Sequence, residues 1–465
     1  MEIKFFALLT LIPCSYIVLK FIKRADISCI DIVVMMHAVY LCVIPICGDT
    51  SNILYPSVRN DVSLQFQISA ITFLFFLTMC FFDCLLKRQL HGKVCLFNIS
   101  LFVREWLKKV RPTSKVYIFI FLIFAVLLFI ALKTFEYSAL LGSGSISDMR
   151  YASKSINTPF MMWLQFGSHI LRLLMVVLLV IVYLNRKCVN AAIWAKVAFV
   201  FISISFVAYH FLISRTYFVE SLLMLGLLLY SCYKDRIRKK HVVVALMLCV
   251  ACFFVVMPII SGVKMAKRSM IISGQRSVSL SEMVTLSVSS AFDWDNPGKK
   301  NDNKASRSWY IYQIIGLALD GDYWGNGLLT MDAISYGVPK VIYPGKSMEG
   351  SQGVIENVTG AKNDVADSVL LLCVLENRLI AFVLASCYFL MAIFLYDILY
   401  KIMASIKIRT VFLAPVFFCS LFIFLNRVEY SMDNFIPSIE KLLLWYVVIL
   451  CLMKVFRDGS FIKKA

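Results

Sequence analysis

The sequence has few charged residues for its length. Only 16% of the chain is charged, whereas 60% is hydrophobic. A soluble domain with one buried core cannot hide that much apolar surface, and many of the apolar runs are about 20 residues long, enough to cross about 30 Å of hydrocarbon. In lipid, backbone groups must satisfy one another, so runs of this length predict helices. The composition therefore excludes a soluble globular protein and predicts an all-α polytopic membrane protein.

Acidic residues are particularly scarce. Aspartate and glutamate number 28 against 47 lysines and arginines, for a formal net charge of +19. A soluble protein with this balance would suggest nucleic acid as a partner. Here the basic residues gather in every second loop between apolar runs, as cytoplasmic loops do. We therefore expect no nucleic acid partner, a periplasmic N-terminus and a cytoplasmic C-terminus.

We predict about eleven membrane spans, with a retained first span rather than a cleaved signal peptide. They lie near 3–20, 27–47, 64–86, 116–134, 160–184, 192–213, 216–233, 242–261, 368–397, 410–426 and 438–456. The chain thus divides into an N-terminal membrane bundle (1–261), one large polar loop (262–367) and a C-terminal membrane bundle (368–465). The alternation of basic loops places the large loop on the outer side.

Two shorter amphipathic segments are predicted to lie along the membrane rather than cross it. In NISLFVREWLKKVRP (98–112), Leu101, Phe102, Trp106 and Val110 are expected to face lipid on the cytoplasmic side. In the large loop, SRSWYIYQIIGLAL (306–319) is too short to span, so we expect it to lie in the outer interface above a cavity.

Several kinds of site are missing from the sequence. The 15 cysteines lie almost entirely in apolar runs, the large loop has none, and the five histidines show no metal-ligand spacing. These patterns predict no disulfide framework, no metal and no cofactor. No phosphate-binding loop of the G-x-x-x-x-G-K-[ST] type occurs. Because no cytoplasmic segment could hold a sugar nucleotide, any glycosyl donor would arrive already attached to a lipid.

Ionisable residues within predicted spans point to function, since each costs on the order of 3 kcal/mol at the bilayer centre. His169 and Arg172 share one helical face, and Glu376 and Arg378 lie in the ninth span. Glu220 follows the start of the seventh span. The alternative for each is a structural pairing between helices, for example Glu220 with Arg172.

Arginine grips phosphate oxygens in pairs, so arginines facing an outer cavity would suit a pyrophosphate. Basic residues predicted in outer loops could join them: Arg150, Lys154, Arg268, Arg276, Lys346 and Arg427. The large loop also carries aromatic side chains that could stack on sugars or anchor the interface: Trp294, Trp309, Tyr310, Tyr312, Tyr323 and Trp324.

Three stretches of the chain resemble motifs of one known family. SRTYFVESLLMLG (214–226), with R-x10-G spacing from Arg215 to Gly226, is similar to the arginine motif of bacterial O-antigen polymerases of the Wzy type. YGVPKVIYPGK (336–346) looks like a Pro-rich, Lys-ended stretch of their large loop, and NDVADSVLLLCVLENRLIAF (363–382) resembles the start of the following span. A second R-x10-G in the large loop is absent.

The resemblance implies a GT-C-like glycosyltransferase of the bacterial inner membrane. It would join undecaprenyl-pyrophosphate-linked oligosaccharide repeats at the outer face, alongside membrane lipid, a chain-length regulator and a flippase. The implied catalytic residues are Arg215, Glu220 and Glu376: Arg215 would neutralise the departing pyrophosphate, and one carboxylate among Glu220, Glu349, Asp364 and Glu376 would act as general base. The implied pyrophosphate and sugar ligands are Arg150, Arg172, Arg276, Lys346, Arg378 and Arg427.

Three other functions stay open. An O-antigen ligase would share the architecture, but a histidine is expected in its large loop and 262–367 has none. A flippase or transporter of lipid-linked sugar would predict short loops and internal repeats. A scaffolding membrane protein would not need deep arginines.

Overall fold

We describe the architecture from a computed structural model. It describes residues 2–38, 41–42, 56–112, 115–140, 159–187, 191–213, 215–236, 247, 285, 307–321, 325, 328–337, 343–344, 355, 368–405, 413–426, 428, 435–455 and 462–464. Predicted span 242–261 lies outside these residues, apart from Met247.

The described chain is almost entirely helical. In the first half, the helices are α1 (Glu2–Ile22), α2 (Cys29–Ala38), α3 (Pro56–Asn60), α4 (Val62–Gln89), α5 (Ile99–Lys108), α6 (Lys115–Leu140), α7 (Pro159–Leu184), α8 (Ile193–Ile213) and α9 (Arg215–Tyr233). In the second half, they are α10 (Arg307–Asp320), α11 (Leu328–Gly337), α12 (Val369–Glu376), α13 (Ala381–Ser405), α14 (Leu413–Asn426) and α15 (Phe435–Val455). A short 3₁₀ helix covers Lys234–Arg236.

The predicted helical membrane character is confirmed. Among the described residues, three helical stretches are long and apolar enough to cross a bilayer: Val62–Gln89, Gly167–Leu184 and Ala381–Ser405. Six shorter apolar helices accompany them. The count of eleven spans, the GT-C-like fold and the three-part division of the chain stay predictions.

The chain forms two compact units. The first unit comprises Met1–Phe102, Pro297–Ile408 and Ser420–Leu444. In it, α4 packs against α1, α2, α10 and α13, while α12 packs against α10 and α11. Rings of Tyr388, Phe389, Tyr396, Phe424 and Phe435 cluster there, the last two with centroids 5.4 Å apart.

The second unit comprises Val103–Asn296, Arg409–Cys419 and Trp445–Ala465. Within it, α7 packs against α6 and α9, and α8 packs against the same two helices. Two three-residue strands, β1 (Val110–Pro112) and β2 (Ile462–Lys464), pair antiparallel with Arg111 opposite Lys463.

The ninth predicted span, 368–397, falls on two helices rather than one. Ser368 caps the start of α12, whose eight residues are all buried, and α12 ends at Glu376. The chain is then non-helical until α13 begins at Ala381. A helix that is buried on every side packs within protein, so α12 is a core helix of the first unit.

The amphipathic segment 98–112 does form a helix, α5, but part of its predicted lipid face is wrong. Phe102 is 5% exposed and packs edge-on against Tyr400, with ring centroids 5.3 Å apart. Val110 is 3% exposed and lies in β1. Protein rather than lipid therefore covers these two apolar side chains. On the polar face, Lys108 donates to Glu105 at 2.9 Å, and this bond lowers the pKa of the Glu105 carboxyl.

The loop segment 306–319 also forms a helix, α10, and it is packed inside the first unit. Ile311, Ile314 and Ile315 are buried, because α10 lies against α4 and α12. Tyr312 is only 2% exposed, so it does not offer a ring for stacking on a sugar.

Candidate functional site

Arg172 and Glu220 form a buried ion pair in the second unit. Arg172 in α7 is 1% exposed and Glu220 in α9 is 2% exposed. Arg172 Nη2 donates to Glu220 Oε2. A charge at this depth is tolerated when it is paired and hydrogen-bonded. The Arg172–Glu220 pairing, which the sequence analysis gave as an alternative, is therefore present.

The rest of the Arg172 guanidinium is held by the first turns of α9. Its Nη1 donates to the backbone carbonyl of Tyr217, and to Ser221 Oγ at 3.3 Å. Its Cζ lies 4.4 Å from the centroid of the Tyr217 ring, close enough for a cation–π contact. One side chain of α7 thus contacts three residues of α9.

His169 lies one turn before Arg172 on the same face of α7 and extends this arrangement. Its Nε2 is 3.2 Å from Tyr217 Oη, and the two rings meet edge-on with centroids 4.7 Å apart. We call Arg172 and Glu220 the buried pair, and Tyr217, Ser221 and His169 surround it. These hydrogen bonds and ring contacts hold the start of α9 against α7.

Arg215 is the first residue of α9. Its side chain lies outside the described residues, but Tyr217, two positions further on, is held by Arg172 and His169. The first turn of a helix also presents backbone N–H groups without intrahelical partners and the positive end of the helix dipole. A helix start with an arginine on a fixed backbone favours an anion.

Glu376 and Arg378 lie in the first unit, where the chain leaves α12. The Glu376 carboxylate is 3% exposed, and its Oε1 accepts from the backbone N–H of Thr330 in the first turn of α11. Arg378 Nη1 donates to the Leu319 carbonyl, at the end of α10, at 2.9 Å. Each side chain thus complements a helix end of the appropriate polarity.

Gly325 brings the chain between α10 and α11 close to Glu376. Its N–H donates to the Leu375 carbonyl at 3.0 Å. A Cβ at this position would lie 2.5 Å from Glu376 Oε2 and 2.9 Å from Leu329 Cγ. The close approach therefore requires glycine.

We expect Gly325→Ala to destabilise the protein by about 1–3 kcal/mol, the usual cost of forcing extra volume into a packed site. The measurement is thermal unfolding of the purified protein in detergent. Gly321→Ala is the matched control, since a Cβ there makes only an ordinary contact of 3.6 Å with the Leu317 carbonyl. Equal stability of the two variants would mean that Glu376 can withdraw from Gly325 without loss.

The remaining predicted ligands are not brought together by the described residues. Arg150, Arg276, Lys346 and Arg427 lie outside them. The roles assigned to all nine predicted site residues stay predictions. Within the described part of the chain, no group of three His, Cys, Asp or Glu side chains could hold a metal ion.

A second set of buried charges was missed by the sequence analysis. Lys20, Asp31 and Asp83 are 6%, 3% and 0% exposed, and Lys20 Nζ contacts both carboxylates. Lys87 Nζ lies 3.4 Å from Asp83 Oδ2 and 3.8 Å from Asp31 Oδ2. We call these four residues the lysine–aspartate cluster. Asp31 in the predicted span 27–47 and Asp83 in the predicted span 64–86 are charges within apolar runs, and they could have indicated this cluster.

The helices and these two buried ionic groups define a helical membrane protein with charged sites inside its core. Comparison with known proteins adds no narrower class, because no family model, no curated protein and no solved structure matches the chain.

Proposed function

We propose that this protein is a glycan polymerase of the bacterial inner membrane. It joins oligosaccharide repeat units carried on undecaprenyl pyrophosphate at the outer face, without a nucleotide sugar. The observation that carries the proposal is the position of Arg215, which begins α9 where the Arg172–Glu220 pair fixes that helix. The resemblance of 214–226 to the polymerase arginine motif supports it.

The proposed reaction uses the growing chain as donor. A hydroxyl oxygen of the incoming repeat attacks the anomeric carbon, the bond from that carbon to the pyrophosphate oxygen breaks, and undecaprenyl pyrophosphate leaves with the electron pair. The hydroxyl proton passes to solvent. Stabilising the negative charge that develops on the leaving group is the largest electrostatic contribution to catalysis in this step.

Arg215 is proposed to stabilise this negative charge on the leaving pyrophosphate. Its guanidinium can bind two oxygens of the leaving group at once, and the N–H groups at the start of α9 add to the same field. A hydrogen-bond donor whose position is fixed before the reaction does not have to reorganise while charge develops. This is the advantage of anchoring the α9 backbone two residues from Arg215.

The buried pair is proposed to position Arg215 rather than to contact substrate. Arg172 and Glu220 neutralise each other, and the guanidinium donates to three acceptors of α9. A guanidinium in this state has little left to offer a pyrophosphate. Glu376 and Arg378 are also proposed to act by position, because their hydrogen bonds hold α10 and α11, two helices of the large loop, against α12.

The proposal is tested by the surface-polysaccharide ladder of a strain whose own copy is replaced by Arg215→Ala at matched protein level. We expect the ladder to collapse to a single-repeat band, because repeats reach the outer face but are not joined. Arg215→Lys should restore the ladder only in part, since lysine keeps the charge without the two-pronged geometry.

Arg186→Ala is the matched control. Arg186 belongs to the same unit, is exposed, and stacks on Tyr183 with its Cζ 4.6 Å from the ring centroid. Its loss should leave the ladder intact. If Arg215→Ala removes even the single-repeat band, ligation or flipping replaces polymerisation as the function. An unchanged ladder overturns the assignment of Arg215.

A further inference from the structure

A cavity of about 260 Å³ lies beside the ends of α1 and α4 in the first unit. Six residues line it: Tyr16, Leu19, Lys20, Lys23, Ala25 and Lys87. Three of the six are lysines, so the lining is chemically suited to an anion. Neither the proposed reaction nor the buried pair in the second unit involves this place.

Two of these lysines are fixed by the lysine–aspartate cluster. Lys20 Nζ contacts Asp31 and Asp83 and lies 4.3 Å from the centroid of the Tyr16 ring. Lys87 Nζ donates to the Asp26 backbone carbonyl at 2.9 Å. Asp83 also accepts from Tyr16 Oη at 3.1 Å. These contacts hold two ammonium groups in place beside the cavity before any ligand arrives.

The charge count leaves one positive charge at the cavity. Three lysine ammonium groups line it, and the carboxylates of Asp31 and Asp83 offset two of them. Lys23 is exposed and forms no ion pair with any described carboxylate. In the adjoining loop, Arg24 and Asp26 carry opposite charges. A ligand with one negative charge would balance the site.

The surroundings of the cavity are apolar and open. Leu19 is 48% exposed although it lines the cavity, and Val18 and Ile22 continue the same exposed apolar surface along α1. Leu85, two residues before Lys87, is also exposed on α4. In a membrane protein such a surface faces acyl chains. An occupant with an anionic head and apolar chains would satisfy both parts of the site.

We propose that this cavity binds the headgroup of an anionic phospholipid. The phosphodiester contacts Lys23, the paired ammonium groups of Lys20 and Lys87 add positive charge behind it, and the acyl chains lie along Leu19 and Ile22. The cavity volume of about 260 Å³ leaves room for a phosphodiester headgroup. Because the ends of α1 and α4 are predicted to be cytoplasmic, the lipid belongs to the cytoplasmic leaflet of the membrane.

The test measures lipid binding to the purified full-length chain by native mass spectrometry. The probes are phosphatidylglycerol and phosphatidylcholine with matched acyl chains, and separately inorganic phosphate. We expect phosphatidylglycerol to bind in preference to phosphatidylcholine. Lys23→Gln should weaken phosphatidylglycerol binding on the order of fivefold, which is the loss of affinity expected on removing one lysine beside an anionic headgroup.

Lys93→Gln is the matched control, because Lys93 is exposed in the same unit and does not line the cavity. It should bind phosphatidylglycerol as the unaltered protein does. Equal losses in the two variants would show attraction by general surface charge and overturn the site. Equal binding of the two lipids would overturn it as well. Binding of inorganic phosphate that depends on Lys23 and displaces phosphatidylglycerol would overturn the lipid as ligand.

Discussion

Replacing Arg172 by methionine is expected to destabilise the second unit by about 3–5 kcal/mol, the cost of leaving a buried charge without its partner. Glu220 would keep its carboxylate at 2% exposure with no guanidinium beside it. Tyr217 and Ser221 would lose a donor at the same time. For a unit of this size the loss corresponds to a fall in melting temperature on the order of 10 °C.

The double variant Arg172→Met with Glu220→Leu separates charge from packing. Replacing both members of a buried pair by apolar residues is often neutral, because no uncompensated charge remains. We therefore expect the double variant to recover most of the stability that either single variant loses. The measurement is the temperature at which half of the detergent-solubilised protein stays monodisperse. Additive losses in the double variant would mean that the two side chains do not stabilise each other.

Replacing Asp83 by alanine is expected to destabilise the first unit by a similar amount, about 3–5 kcal/mol. Asp83 is fully buried and accepts hydrogen bonds from Lys20, Ser28 and Tyr16. Its removal would leave the buried Lys20 and the partly exposed Lys87 sharing Asp31. Asp83→Asn should cost less, since its amide oxygen can still accept from one of the two hydroxyl groups and its amide nitrogen can donate to the other.

The control for Asp83 is Asp332→Asn. Asp332 is exposed in the same unit, so losing its charge should change the free energy of unfolding by no more than about 0.5 kcal/mol. Both proteins are compared by the same thermal assay at equal detergent concentration. If Asp83→Ala unfolds at the temperature of the control, the lysine–aspartate cluster does not hold α1, α2 and α4 together.

Part of the candidate site could be predicted from the sequence because membrane burial makes charges conspicuous. Arg172 and Glu220 lie in apolar runs, so the cost of leaving either one unpaired made their pairing the alternative to a functional role. Lys20 ends an apolar run, a position at which a basic residue is typical of a cytoplasmic flank. Its contacts bring together Asp31 in the next helix and Asp83 in α4, and no single apolar run predicts how these three helices pack.

The amphipathic pattern of α5 shows why some details of the fold could not be predicted. A helical period identifies which face is apolar, but lipid and protein are equally apolar neighbours. Phe102 was therefore predicted to face lipid, whereas it packs on Tyr400. The same ambiguity applies to 368–397. This largely apolar stretch was predicted to be one span despite Glu376 and Arg378, whereas it comprises α12, which is buried in protein, and α13.

The break between α12 and α13 bears on how the chain enters the bilayer. With 25 residues, α13 is about 37 Å long and can cross the hydrocarbon layer without help from α12. Its first sixteen residues, from Ala381, carry no charge. Glu376 and Arg378 precede this helix, so neither adds its transfer penalty, about 3 kcal/mol for a group at mid-membrane, to insertion by the translocon. The chain can thus keep a carboxylate and a guanidinium next to a crossing helix without weakening the signal that drives that helix into the membrane.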